Sequence, residues 1–257
     1  MKLRRRNRSH AADHAASPPI RLDKADPAVR LKLAALDAAT PARDAIVFGD
    51  MWIVEGAYSR QCLELGCERV TLIDSFETDG WLAARRAQPN LNFYKGDFSD
   101  GPFMSSLRER YEIGVAFDVL LHQAPLINTL HLMLDKIDKR VCIVQPMLAE
   151  QQLPGTLVYL PGTSAADELY PMEARDDAWS MFSATEVNPA HWIWAMTPSF
   201  LTAALRGEGF EVKWSEQIAG EFANPRWIWW GCVAERSGAE LVHWSAHYKE
   251  PRVRDRL

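Results

Sequence analysis

The stretch from Asp44 to Asp74, DAIVFGDMWIVEGAYSRQCLELGCERVTLID, decides the fold. Ala45 to Gly49 is a short apolar run of the kind buried in a parallel sheet, and Gly56-Ala57-Tyr58-Ser59 opens a helix. Arg69 to Asp74 is the next strand, ending in a carboxylate. Strand, glycine-ended loop, helix and strand make a βαβ unit, the frame of a nucleotide pocket. Free backbone N–H groups at the start of the helix are expected to attract an anion. Asp74 lies about 20 residues past the loop glycine, where Rossmann-like folds place an acid on ribose hydroxyls. Small residues here serve tight strand–helix packing equally well, so the fragment alone leaves a ligand site and a plain structural unit side by side.

The flanking sequence continues the pattern. Pro27 to Thr40 reads as a leading amphipathic helix with Val29, Leu31, Leu33, Ala34 and Leu36 apolar. Downstream, a helix at 77–87, a strand at 92–95, a helix at 104–110, a strand at 112–121, a helix at 126–137 and a strand at 140–147 alternate. Such alternation predicts a parallel sheet covered on both faces through right-handed crossovers. The rhythm then changes. Thr197-Pro198-Ser199 starts a helix stopped by Gly207 and Gly209. Phe210 to Ile218 and Arg226 to Glu235 follow as strands joined by a link too short for a crossover helix, so they pair antiparallel.

At 257 residues the chain suits one α/β domain with an extension. Of its 29 basic residues five, Lys2, Arg4, Arg5, Arg6 and Arg8, fall in the first eight positions, leaving 24 against 34 acidic groups. An acidic body argues against a broad phosphate-backbone footprint. The basic start reads as a solvated, disordered tail over residues 1–19, with a nucleic-acid or membrane tether as the sharper alternative. No apolar run reaches the length of a membrane span and no h-region follows the arginines, so a cytoplasmic protein is expected. Cys62, Cys67, Cys142 and Cys232 match neither a zinc cluster nor a dithiol pair and are read as reduced core thiols; the histidines show no ligand spacing, and no metal is expected.

On these elements the chain resembles the class I S-adenosylmethionine-dependent methyltransferases, from about Arg43 to Glu235. GAYSRQCLELGCERVTLID is similar to that family's first helix and second strand. KGDFSD at 95–100 is similar to its third motif, VAFDVLLHQ at 115–123 to the segment after strand four, and HWIWAMTPSFLTAALRGEGFEV to the late segment of small-molecule members. The family's glycine loop, Asp-x-Gly-x-Gly-x-Gly, departs here: Asp50-Met51-Trp52-Ile53-Val54-Glu55-Gly56 keeps only the first acid and the last glycine. Trp52 and Val54 therefore either reshape the pocket or block it.

The resemblance implies S-adenosyl-L-methionine as cofactor, held by Asp50, Trp52, Gly56, Tyr58, Asp74, Ser75, Asp97, Phe98, Phe117 and Asp118. Alternatives stand beside several of these. Asp74 holds the ribose or caps the next helix; Asp97 reads adenine or forms a turn, with Phe98 packing on the ring in the first case; Tyr58 and Ser59 reach the methionine end or only start a helix. His122 is the candidate base after strand four, or a hydrogen-bonded structural histidine, and His191 is its competitor. Residues 148–196 form an insertion at the carboxyl ends of the strands. With Tyr159, Trp179, Trp192 and Trp194 it is read as a substrate-side lid, against simple packing onto the domain.

The reading is a single domain over 20–257: a Rossmann-like, mostly parallel seven-stranded sheet ending in an antiparallel hairpin, with helices on both faces. The implied activity is methyl transfer to an oxygen, nitrogen or carbon nucleophile of a small organic molecule. A catalytically inactive homologue acting as a binding or partner-activating subunit is the first rival, and an RNA methyltransferase the second. A homodimer is left open.

Overall fold

A computed structural model describes residues 20–51, 54–150, 155–159, 194–219 and 227–237. The basic tail, His191, Trp52, Trp179 and Trp192 lie outside the described residues. A seven-stranded sheet organises the rest. Its order is β3 (Leu91–Lys95), β2 (Arg69–Asp74), β1 (Asp44–Phe48), β4 (Tyr111–Phe117), β5 (Ile137–Leu148), β9 (Trp227–Arg236) and β8 (Phe210–Ala219). The first five strands run parallel, and β9 is antiparallel to both neighbours. The expected parallel sheet ending in an antiparallel hairpin is present.

Every residue of β1 is buried, and β2 is buried from Val70 on, which explains why they read as continuous apolar runs rather than alternating ones. One face is covered by α1 (Pro27–Ala39), α2 (Ala57–Glu64) and α3 (Asp79–Ala87), the other by α4 (Gly101–Ser106), α5 (Leu126–Asp135) and α6 (Pro198–Gly207). Asp26 caps α1, its carboxylate accepting from Ala28 N at 2.7 Å, with Pro27 in the first turn where a missing N–H costs nothing. The buried stripe of α1 is Ala28, Leu31, Lys32, Ala35, Leu36 and Ala39, laid across β5, β9 and β8. A lysine on that stripe is the exception.

Several details differ from expectation. The helix expected at 104–110 is α4, starting at Gly101, because Asp100 and Pro102 provide the start signal and the chain is extended again by Leu107. The fourth strand stops at Phe117 rather than 121, since Asp118 takes a left-handed φ of +56° and the chain turns into a 3₁₀ segment, Leu120–His122. Within the insertion, β6 (Leu157–Tyr159) and β7 (Trp194–Met196) pair antiparallel, bringing Tyr159 opposite Trp194.

At the amino ends of the strands Asp44 accepts from Glu112 N at 2.8 Å, Arg43 Nε at 3.1 Å and Arg69 Nη2 at 3.2 Å. A cavity of about 450 Å³ there is lined by Arg43, Asp44, Glu68, Arg69, Glu109 and Arg110. Arg43 and Arg69 pair there with Asp44 and Glu109, and the cavity lies at the edge opposite the one where α/β sheets bind ligands. Among the described residues no helix is long and apolar enough to cross a membrane.

Candidate functional site at the carboxyl edge of the sheet

The loop after β1 is built around Asp50. Its main-chain oxygen accepts from Gly56 N at 2.6 Å, and its carboxylate Oδ2 accepts from Ser59 N at 2.7 Å and Ser59 Oγ at 2.8 Å. The helix α2 is thus capped from beneath by an aspartate nine positions upstream. The expectation of free N–H groups awaiting an external anion is corrected: the protein's own carboxylate takes that place, satisfying the orphan donors of the first turn. Asp50 is 3% exposed, and Oδ1 is buried with no hydrogen-bond partner among the described residues. Burial pushes its carboxyl up to about 6, outweighing the bonds from Ser59.

Glu55 and Gly56 follow in consecutive left-handed conformations, φ +46° and +74°. A Cβ on Gly56 would stand 2.2 Å from the Trp81 ring, so glycine is required there twice over. Met51 is fully buried and Val54 packs partly into the same core, filling the inner side of the loop with side chains.

Asp74, ending β2, is 7% exposed. Its Oδ2 accepts from Met51 N at 3.0 Å and Oδ1 from Ser75 N at 2.7 Å, stapling the two strand ends together. Burial raises its pKa against these bonds. It does not cap α3: Thr78 does, accepting from Trp81 N at 3.2 Å. An ionised carboxylate offers about four acceptor positions, so Asp74 keeps room for a ligand hydroxyl. Ser75 is exposed beside it.

Asp97 is exposed and accepts from Ser99 N at 2.7 Å, a turn-forming bond. Phe98 is turned inward, edge-on to Phe48 at 5.7 Å between centroids and close to Gly49. Phe117 closes β4, its ring edge-on to Tyr58 at 4.9 Å.

Asp118 donates its main-chain N–H to Val144 O at 3.0 Å, and its Oδ2 is ion-paired with Lys32 Nζ. Its Oδ1 is buried and has no partner among the described residues. The Lys32 ammonium lies 5.4 Å from the Tyr58 ring centroid and 5.0 Å from that of Trp229. Burial raises the Asp118 pKa while Lys32 pulls it down. The Tyr58 phenol is pushed well above its ordinary value, first by burial and then by the charges of Asp118, Asp50 and Asp26. Neither Lys32 nor Trp229 was among the residues expected at the site. The signal for Lys32 was its register: with Ala28, Leu31, Ala35, Leu36 and Ala39 apolar, position 32 falls on the inner face of α1.

His122 ends the 3₁₀ segment, half-buried, donating its main-chain N–H to Val119 O at 3.1 Å. The adjoining Gln123 O accepts from Trp194 Nε1 at 2.8 Å. This bond fastens Trp194 beside His122, and Thr197 N donating to Thr156 O at 3.0 Å ties the two ends of the insertion to each other. The backbone of Tyr159 is paired there too.

The edge therefore presents carboxylates from the ends of β1, β2 and β4, two of them with a buried, unpartnered oxygen, and helix N–H groups already spent. Such a donor set suits hydroxyls and cations rather than a phosphate. Among the described residues no cluster of His, Cys, Asp or Glu is placed to hold a metal ion.

No protein-family model and no curated protein sequence matches this chain. Solved structures do. The N-terminal domain of EvdMO1, determined with S-adenosylhomocysteine and D-fucose, is 14% identical, with 84% of each chain covered and a TM-score of 0.56. The 1,6-didemethyltoxoflavin-N1-methyltransferase of Burkholderia thailandensis, with bound 1,6-didemethyltoxoflavin and S-adenosylhomocysteine, is 18% identical over 82% of this chain and 79% of that one, TM-score 0.53. The [4+2]-cyclase SpnF is 10% identical over 81% and 80%, TM-score 0.54. At these identities the likeness is one of fold, and the fold is that of the class I S-adenosylmethionine-dependent methyltransferases.

Proposed function

We propose that the protein binds S-adenosyl-L-methionine at the carboxyl edge of its sheet and transfers the methyl group to an oxygen, nitrogen or carbon nucleophile of a small organic molecule. One observation carries the reading: Asp50, Asp74 and Asp118 converge there from three neighbouring strands, and Asp50 and Asp118 each keep a buried oxygen without a partner among the described residues. A ligand with a ribose diol at one end and cationic centres at the other satisfies such a set. Asp74 takes the diol; the free oxygens of Asp50 and Asp118 take the ammonium. Asp97 and Phe98 border the adenine, and Ser75 the ribose. Gly56, Tyr58 and Phe117 shape the wall toward the methionine portion; Trp52, outside the described residues, is also assigned to the cofactor.

When bound, the cofactor supplies a methyl group on a positively charged sulfur. The chain's own work is positioning and, for an acceptor that must lose a proton, base catalysis. His122 accepts that proton, with His191 as the competing base. Tyr159, Trp194 and, outside the described residues, Trp179 and Trp192 are assigned to the acceptor side, supported by the bond from Trp194 Nε1 to Gln123 O beside His122. Four buried cysteines without a disulfide accord with a cytoplasmic enzyme.

The second reading is an inactive homologue serving as a binding subunit, favoured by Trp52 and Val54 where the family has glycine. An RNA substrate is disfavoured by the acidic body. Calorimetric titration with S-adenosylmethionine and S-adenosylhomocysteine tests the proposal: micromolar binding supports it, and silence at millimolar ligand refutes it.

A further inference from the structure

Lys32 is the feature of the edge that the proposed activity does not use. It projects from the buried stripe of α1, where its neighbours are leucines and alanines, and its side chain is only 9% exposed. Docking α1 onto the sheet calls for another apolar residue there; an ammonium taken out of water is costly unless paired. Its surroundings are specific to a cation: the Asp118 carboxylate on one side, and the rings of Tyr58 and Trp229 within cation–π range. Tyr58 is the second residue of α2, directly after the glycine-ended loop, and Asp118 follows the last residue of β4. The ammonium thus stands between the two elements that would grip the cofactor's charged end, and engages a carboxylate that this end would use.

We infer that Lys32 is an internal counter-cation of the cofactor crevice, and that it shifts the site's relative affinity away from the sulfonium S-adenosylmethionine and toward the uncharged thioether S-adenosylhomocysteine. The inference rests on the cofactor reading above. The two ligands share every group but one: the donor carries an additional methyl and with it a positive charge on sulfur. Geometry common to both cancels in their ratio of affinities, leaving the field at the sulfur. At an effective dielectric of about 20, a fixed ammonium anywhere within about 12 Å of the sulfur is worth at least about tenfold in that ratio. Asp50, Asp74 and Asp118 pull the other way, and Lys32 neutralises the third.

The test is calorimetric titration of the full chain and of Lys32→Met and Lys32→Arg with S-adenosylmethionine and S-adenosylhomocysteine. Lys32→Met should tighten the sulfonium form about tenfold relative to the thioether, and Lys32→Arg, which keeps the charge, should leave the wild-type ratio within about twofold. If Lys32→Met does not fold, Asp118→Asn serves in its place: removing the negative charge should weaken the sulfonium form about tenfold relative to the thioether. A ratio unmoved by whichever variant folds overturns the inference while leaving cofactor binding intact. Failure of the wild type to bind either ligand overturns the cofactor reading itself.

Discussion

Replacing Asp50 by asparagine separates charge from shape at the end of β1. The carboxyl rises from an ordinary 3.8 to about 6 in the folded protein, chiefly through burial. A rise of that size corresponds to about 3 kcal/mol. The sign follows from proton counting: between pH 4 and 6 the native state holds a proton that the unfolded chain has released, so stability falls as pH rises. The Asp50 contribution is fully present below pH 3.8 and is lost as pH passes through about 6. The asparagine does not titrate, and its side-chain oxygen can still accept from Ser59 N and Oγ. Its amide NH₂ lies where Oδ1 had no partner, a pH-independent cost of about 1–3 kcal/mol. The free-energy difference, variant minus wild type, should therefore move in the variant's favour by about 3 kcal/mol between pH 4 and pH 7.5. Urea unfolding at several pH values measures it, and subtracting the wild type removes the titration of Asp74 and Asp118. A difference that stays flat across this range would show that Asp50 is not a buried, destabilised anion.

Three further outcomes are expected. Asp74→Asn, which keeps an acceptor for Met51 N, should weaken S-adenosylmethionine binding by about 1–3 kcal/mol in calorimetry; unchanged affinity removes Asp74 from the site. Gly56→Ala should lower stability by about 2–5 kcal/mol in thermal or urea denaturation, combining a left-handed φ with a Cβ at 2.2 Å from Trp81, and Trp81→Leu in the same chain should recover part of the loss. His122→Ala should lower turnover by a factor of about 10²–10⁴ in radiolabelled-methyl assays over a panel of small acceptors, with cofactor affinity held; full turnover would make His122 structural.

What was legible in the sequence was local and periodic. The second strand reads residue for residue as Arg69–Asp74 because a run of β-branched and apolar residues ends abruptly in a carboxylate. The leading helix is right to one position, bounded by Asp26-Pro27 and Thr40-Pro41. The hairpin follows from a link too short for a helix. What escaped depends on contacts between residues far apart in the chain. That Asp50 caps α2 is decided by the path of a loop whose glycines are gone. Phe98 goes inward to pack edge-on against Phe48, a fact of tertiary packing. Lys32 meets Asp118 across 86 positions, so its register on α1 could mark it as buried but not say with what.

The altered loop changes what kind of group recognises the ligand. In the glycine-rich version a bare backbone passes close to the ligand. Here Met51 and Val54 fill the loop's inner side, and the helix start is spent on Asp50. In the proposed site, recognition would fall to side chains: Asp50, Asp74 and Asp118, with Lys32 set against them. Carboxylates as buried as Asp50 and Asp74 discriminate by charge more sharply than amide N–H groups do, because the interaction is strengthened by the same burial that raises their pKa values. The fold is shared with chains named for methyl transfer and with one named for cyclisation, and so does not choose between chemistries. The charge balance at the ends of β1, β2 and β4 is this chain's own. It makes the affinity ratio between a charged and an uncharged form of one cofactor the most direct measure of what the site is for.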